Sequence, residues 1–280
     1  MTATLPGISV ITVCRNAERT IEGTMQSIVS QHYPDLEYIV IDGASTDRTR
    51  SIVASYQSHI AHFISEPDDG IADAFNKGLR YATKEFVAFL NADDEYVPDA
   101  LRQMGVFAVQ HQERIDIIYG DAICTKRRKP LYRSVALPFP EVDVLTPFVC
   151  HQSVLVRRAL FKTIGVFDKK YRFGMDFDWF LRARNAGAAF AGLPSVPIAR
   201  YAIDGYSAQN GLASLLEFRR IAAANRVASR IRLEMYYAWK IPKYLLQALL
   251  IRAGLGSFTL WIKSALYRRY ARTTQGDDVL

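Results

Sequence analysis

Four apolar runs near the start of the chain each end in a polar, mostly acidic segment. Ile8 to Val13 leads into Cys14-Arg15-Asn16, and Glu37 to Ile41 into Asp42-Gly43-Ala44-Ser45-Thr46-Asp47. His62 to Ile64 is followed by Glu66-Pro67-Asp68-Asp69-Gly70, and Phe86 to Leu90 by Asn91-Ala92-Asp93-Asp94. A phosphate pocket built only from backbone amides would be repelled by so many carboxylates. A divalent cation that bridges carboxylate to diphosphate turns the same acidity to use.

These segments need a scaffold that gathers them at one edge. Between the apolar runs lie amphipathic stretches: Ile21, Met25 and Ile28 share one helical face, Ile52, Val53 and Tyr56 follow a Ser45-Thr46-Asp47 capping region, and Ala74, Phe75 and Leu79 mark a third helix. Near-continuously apolar strands alternating with helices predict a mainly parallel sheet covered on both faces, with right-handed crossovers. In such sheets ligands bind beyond the carboxyl ends of the strands, which is where the polar segments fall.

Other nucleotide chemistries make demands that this sequence does not meet. No G-x-G-x-x-G follows the first run and no G-x-x-x-x-G-K-[ST] occurs, so dinucleotide hydride transfer and P-loop ATP hydrolysis fall away. A receiver-type module also gathers acids at strand ends, but 280 residues are more than it needs. Half of the residues are hydrophobic, enough for one good core and a small appendage. Cys14, Cys124 and Cys150 are too widely spaced for a zinc knuckle and odd in number for a closed disulfide set, which suits a reducing compartment. The N-terminus shows no charged region followed by an apolar stretch, so a cytoplasmic protein is expected. The net charge of +7 is concentrated in the tail, where twelve Lys and Arg between Leu215 and Arg272 face only Glu217 and Glu234. The remaining, mildly acidic body makes a poor nucleic-acid binder, and no nucleic-acid partner is expected.

Read in order, the motifs form a longer pattern. It comprises Ser9-Val10-Ile11-Thr12 with Asn16, Val40 to Asp47, Ser65-Glu66-Pro67-Asp68 with Gly70-Ile71 and Asp73, and Asn76-Lys77-Gly78. Leu90 to Asp94 with Pro98 follows, then Gly165-Val166-Phe167-Asp168, then Phe173 to Trp179 with Arg182. This ordered set resembles the family 2 inverting glycosyltransferases of the GT-A fold, over roughly residues 7 to 205.

The resemblance implies an α/β GT-A catalytic domain over residues 1–205, with a donor-binding half at about 7–100 and an acceptor-side half at about 101–205. Its substrates would be a nucleotide-sugar donor, most plausibly a UDP-sugar, and a glycan or lipid-linked acceptor. Thr12, Cys14 and Asn16 would line the base and ribose, and Asp42 would accept a hydrogen bond from the base, with a turn-forming role as its alternative. Asp47 is better placed to serve the start of the second helix. Asn91-Ala92-Asp93 stands where the family has D-x-D, so Asn91 brings no charge and holding Mn²⁺ or Mg²⁺ falls to Asp93 and Asp94. Met175 replaces the glutamate of the family's E-D-x-D, and Asp176 matches its general base. Asp178, at i+2, does not face Asp176 on a helix and can pair with Arg182 at i+4. Trp179 either packs in the core or floors the sugar pocket. His151 could stand beside the diphosphate or the metal, or be a buried histidine satisfied by backbone. Lys77 could contact the donor phosphates or solvate the third helix. Residues Thr125 to Pro147, rich in basic and proline positions, read as an acceptor-side loop.

Residues 206–280 show helical spacing with basic and aromatic positions, including Trp239 and Trp261. Gln247, Arg252, Gly254 and Gly256 interrupt the apolar stretch, so no spanning helix is expected. Such helices would lie peripherally on the inner face of the cytoplasmic membrane, or pack on the catalytic domain, or join two copies in a homodimer. The expected activity is inverting sugar transfer in glycan or polysaccharide biosynthesis. The alternatives are a nucleotidyltransferase, which would want a glycine-rich basic loop where Cys14-Arg15-Asn16-Ala17 stands, and a non-catalytic nucleotide-sugar-binding subunit.

Overall fold

The computed structural model describes residues 4–111, 115–126, 129–136, 144–202 and 210–252. Trp261 and the centre of the Thr125–Pro147 segment therefore lie outside the described residues.

The four apolar runs are strands with nearly the expected bounds: β1 (Ile8–Cys14), β2 (Leu36–Asp42), β3 (His62–Ser65) and β4 (Phe86–Asn91). β1 pairs in parallel with β2 and β4, and β2 with β3. The crossovers carry α1 (Ile21–Val29), α2 (Thr49–Ser55) and α3 (Ile71–Leu79). Alternation within β1 explains the two layers. Ile8 and Val10 face one apolar cluster with Ile21, Met25 and Ile28 of α1, whereas Ile11 and Val13 face another with Phe75 of α3. Gly78 lets α3 approach the sheet closely, since a Cβ there would collide with Ile11.

The sheet then continues with mixed direction. After the short β5 (Glu95–Tyr96) and α4 (Ala100–Gln110) come β6 (Ile117–Lys126), β7 (Lys129–Ser134), β8 (Val154–Arg157), α5 (Leu160–Thr163), α6 (Met175–Asn185) and β9 (Phe190–Ala202). The strand order is β3-β2-β1-β4-β8-β6-β9-β5, with β7 paired to β6. β8 runs antiparallel to both β4 and β6, while β9 runs parallel to β6. The segment expected as an acceptor-side loop thus begins as a hairpin. Asp121 fixes it by accepting from Arg133 Nε and from the Ala136 amide, and Pro130 is tolerated because, among the described residues, β7 pairs on one side only.

Two helices follow, α7 (Gly211–Ala224) and α8 (Arg230–Arg252). Leu215, Ile221 and Ala222 of α7 and Leu233 and Tyr237 of α8 belong to the same buried cluster as Phe177 and Trp179 of α6. The described part of the extension therefore shares the core of the catalytic sheet. Among the described residues, no helix is long and apolar enough to cross a membrane.

Candidate active site

The chain leaves β1 in one direction toward β2 and β3 and returns to its other side as β4, so a crevice opens at the carboxyl ends of β1 and β4. A large cleft occupies that place. Cys14 to Thr20, Asp68 to Ala72 and Asn91 to Asp94, among them the residues expected at the donor, line one side of it. Pro147 to Gln152, Tyr171 to Phe173, Asp176, Tyr201 and Phe218 close the other.

The nucleotide-side residues divide by burial. Asn16 takes a left-handed conformation, φ +50°, at the cleft surface, and its Oδ1 accepts from the Thr46 amide at 2.9 Å. Cys14 lines the cleft beside it, and burial together with the Asp42 charge pushes its thiol pKa up, so it stays protonated. Thr12 and Asp42 are fully buried beneath that surface. Tyr38 donates to Thr12 Oγ1 at 3.2 Å, and Asp42 accepts from the Ser45 amide and hydroxyl and from Ser65 Oγ. A ligand would reach the Asp42 carboxylate only if the Gly43–Ser45 turn moved. Asp47 accepts from the Thr49 amide at 2.9 Å and the Glu18 amide at 3.1 Å, joining α2 to the loop after β1. Lys77 is held by the Pro67 carbonyl at 2.6 Å and by Glu66 and Asp73, bracing the turn into α3 away from the cleft lining.

The three residues expected at the metal are not equivalent. Asp93 is exposed in the cleft. Asp94 is 1% exposed, with Oδ1 accepting from the Ala202 amide at 2.9 Å and Oδ2 from Gln152 Nε2 at 2.8 Å and Asn91 Nδ2 at 3.3 Å. Burial, and then the charge of Asp93, push its pKa up to about 7. His151 sits in a 3₁₀ turn (His151–Ser153) that ends where β8 begins. Its Nδ1 meets Asp176 Oδ2 at 2.8 Å and its Nε2 meets Asn91 Nδ2 at 3.3 Å. Among the described residues, no three His, Cys, Asp or Glu side chains converge as a metal cage. The fit is instead of another kind. Asp93 faces the cleft and the buried Asn91 Oδ1 has no hydrogen-bond partner among the described residues, a donor set suited to a Mg²⁺-like ion that takes its remaining oxygens from substrate phosphates.

Asp176 lies in the first turn of α6 and lines the cleft, joined through His151 to Asn91 at the donor edge. Burial disfavours the charged imidazole, but the hydrogen bond to Asp176 and the charges of Asp176, Asp94 and Asp93 outweigh it and raise the His151 pKa. Asp178 turns inward. It is 5% exposed, pairs with Arg182 at 2.8 Å and accepts from Asn225 Nδ2 at 3.1 Å. Trp179 is fully buried, donates Nε1–H to the Gly165 carbonyl at 2.8 Å and stacks on Phe161, so it is a core residue. Met175 lines a small, mostly apolar cavity with Phe75, Phe161 and Trp179, which His151 and Asp176 also border.

Three positioning residues are not evident from the motifs. Glu217 of α7, 8% exposed, accepts from the Arg172, Phe173 and Gly174 amides at 3.1, 2.7 and 2.9 Å and so fixes the chain entering α6. Gly174 makes room for this contact, since a Cβ there would press on Ile221 and Phe218. Gln152 holds Asp94, and Asn225 holds Asp178. The available sequence signal is strongest for Glu217, one of only two acids against twelve Lys and Arg between Leu215 and Arg272.

Residues 9–165 match the model for glycosyl transferase family 2. A PGL/p-HBAD biosynthesis glycosyltransferase of Mycobacterium tuberculosis is 28% identical over 251 residues, covering 88% of this chain and 95% of the relative. A teichuronic acid biosynthesis glycosyltransferase of Bacillus subtilis, TuaG, is 37% identical over 115 residues, covering 39% of this chain and 45% of that protein. Staphylococcus aureus TarS, solved with UDP-GlcNAc, superposes with a TM-score of 0.63 at 19% identity, covering 92% of this chain and 79% of the other. A mannosyltransferase of Pyrobaculum calidifontis, solved with GDP-Man and Mn²⁺, superposes with a TM-score of 0.64 at 22% identity, covering 95% and 83%. These likenesses establish the GT-A type fold. With more than half of its length matched to the family model, the chain belongs to glycosyl transferase family 2 and is a glycosyltransferase.

Proposed function

We propose that the enzyme transfers a sugar from a UDP-sugar to the hydroxyl of a glycan or lipid-linked acceptor, inverting the anomeric centre, with Asp176 as general base. The observation that carries this reading is the chain Asp176–His151–Asn91, which joins a cleft-facing carboxylate to the donor edge at β4. The acceptor oxygen attacks the anomeric carbon and its proton passes to Asp176, while the bond to the nucleoside diphosphate breaks on the opposite face. His151 holds the Asp176 carboxylate in place for that transfer. Cys14 and Asn16 meet the nucleoside, over a floor stiffened by Thr12 and Asp42. Mn²⁺ or Mg²⁺, held by Asp93 with Asn91 beside it, would neutralise the leaving diphosphate. The biosynthesis glycosyltransferases named among the mycobacterial and Bacillus relatives support a role in glycan or polysaccharide biosynthesis, and the UDP-GlcNAc bound by TarS supports a UDP-sugar donor. The odd number and wide spacing of Cys14, Cys124 and Cys150 support a cytoplasmic site of action.

The test is Asp176→Asn. The amide keeps the size and much of the hydrogen bonding but cannot accept the proton, so transfer should fall on the order of 10²-fold or more while donor affinity is unchanged. NMR of the product should show inversion. Retained configuration, or an Asp176→Asn enzyme with normal turnover, would overturn the mechanism.

A further inference from the structure

The last described helix has two apolar faces. At roughly 100° per residue, Leu233, Tyr237, Ile241 and Tyr244 form one face of α8, which packs into the core. The other carries Ile231, Met235, Trp239, Leu245, Leu246 and Leu249, which are 75, 69, 61, 45, 57 and 61% exposed. They span an arc of roughly 120°.

Charge selects the partner of that arc. α8 holds five Lys and Arg and one acid, Glu234, which Arg219 binds with two nitrogens. Arg232 and Lys243 flank the arc on the Trp239 side, and the Lys243 ammonium lies 3.1 Å from the centroid of the Trp239 ring. An apolar stripe edged by cations and anchored by an aromatic ring matches a surface that is anionic at the headgroups and apolar just below them. A second copy of the same face would instead set cations against cations. Pro242 cannot donate to the carbonyl of exposed Ala238, and a carbonyl left without its helical donor is readily hydrated at an interface.

We infer that the exposed face of α8 docks the enzyme in the plane of an anionic bilayer surface. The opposite side of the helix is bolted to the cleft wall. The Tyr237 hydroxyl donates to the Leu145 carbonyl at 2.5 Å and the Tyr236 hydroxyl shares a 3.3 Å hydrogen bond with Thr146, next to Pro147, Phe148 and Val149 of the cleft lining. The docked helix and that wall therefore behave as one body. This inference does not depend on the transfer chemistry.

The experiment is cosedimentation of the full-length protein with phosphatidylglycerol/phosphatidylcholine vesicles and with phosphatidylcholine alone. Binding should favour the anionic vesicles and weaken at high salt. Combined Met235→Ser, Trp239→Ser and Leu246→Ser should lower it by about tenfold or more with the melting temperature unchanged, because all three side chains are exposed. In a second measurement, brominated lipid should quench the wild-type tryptophan fluorescence, and Trp239→Phe should remove most of that quenching. Failure of the full-length protein to prefer anionic vesicles, or binding indifferent to the triple substitution, overturns the inference. So does a solution dimer that the triple substitution dissociates, or vesicle binding that emerges only once residues 253–280 are removed, since each shows the face covered by something other than lipid.

Discussion

Glu217 lies far in sequence from Asp176, the proposed base whose helix it holds, and its removal gives a defined loss. Its carboxylate accepts three backbone N–H groups, from Arg172, Phe173 and Gly174, immediately before the helix that carries Asp176. That helix has no side-chain hydrogen bond at its N-cap, so Glu217 is the main polar clamp on its approach. A hydrogen bond to a charged group contributes about 1.5–3 kcal/mol, and the three here share one carboxylate and are not additive. Glu217→Ala should therefore cost about 3–5 kcal/mol, a large fraction of a typical domain's stability. Glu217→Gln keeps Oε1 for Phe173 and Gly174 but turns an amide donor toward the Arg172 N–H, and should cost about 1–2 kcal/mol.

Urea denaturation followed by far-UV circular dichroism measures both losses through the midpoint at constant slope. The Gln variant, folded under assay conditions, then tests positioning: kcat should fall by several-fold with the donor KM little changed, because the donor edge at β1 and β4 does not contact Glu217. A Glu217→Ala loss below about 1 kcal/mol would show that the three amides find other acceptors, and the clamp argument would be wrong. A Gln variant with normal kcat would refute the positioning role alone.

Three further outcomes follow from the same geometry. Asp93→Ala should abolish the chelator-sensitive part of nucleoside diphosphate binding in calorimetry; equal affinity with and without chelator in both proteins would remove Asp93 from the metal site. Asp178→Asn should cost about 2–4 kcal/mol in denaturant, since it breaks the buried pair with Arg182, but should leave turnover of the folded protein far less affected than Asp176→Asn. Because the Asp94 pKa is raised on folding, to about 7, the folded state binds its proton more tightly than the unfolded chain, so its contribution to stability falls as pH rises from about 4 to about 7. In metal-free buffer Asp94→Asn should flatten that part of the melting-temperature profile, and a steeper profile would show the assignment to be reversed.

Much of this could be read from residue types. The strands β1 to β4 fall within a residue or so of the apolar runs because β1, β2 and β4 are buried almost throughout, and the few polar residues inside them, Ser9, Thr12 and Glu37, are themselves buried. The β6–β7 hairpin was hidden because Lys, Arg and Pro suggest a solvated loop. What fixes it is the pairing of Arg133 with Asp121, twelve residues away in a buried setting that no local pattern reports. The site shows the same limit. The resemblance points to Asn91, Asp93, His151 and Asp176 one at a time, while the contacts that join His151 to Asp176 and Asn91 depend on how β8, α6 and β4 meet.

The acidic residues make the physical point most sharply, because the sequence writes them all alike. Asp42, Asp94, Asp121, Asp178 and Glu217 are all buried, and each is ringed by amides, hydroxyls or a guanidinium that fix a turn, a strand or a helix start. Asp93 and Asp176 reach the cleft. Within Asp176-Phe177-Asp178 the two carboxylates stand about 200° apart around the helix, so one that faces substrate sends the other to the core. The inward one needs Arg182 one turn later, and it has it. Proton acceptance at Asp178 would cost that pair, whereas Asp176 has an imidazole that can share the charge it gains or loses. The motif thus carries its own division of labour: chain geometry assigns one carboxylate to hold the helix and leaves the other to act from it.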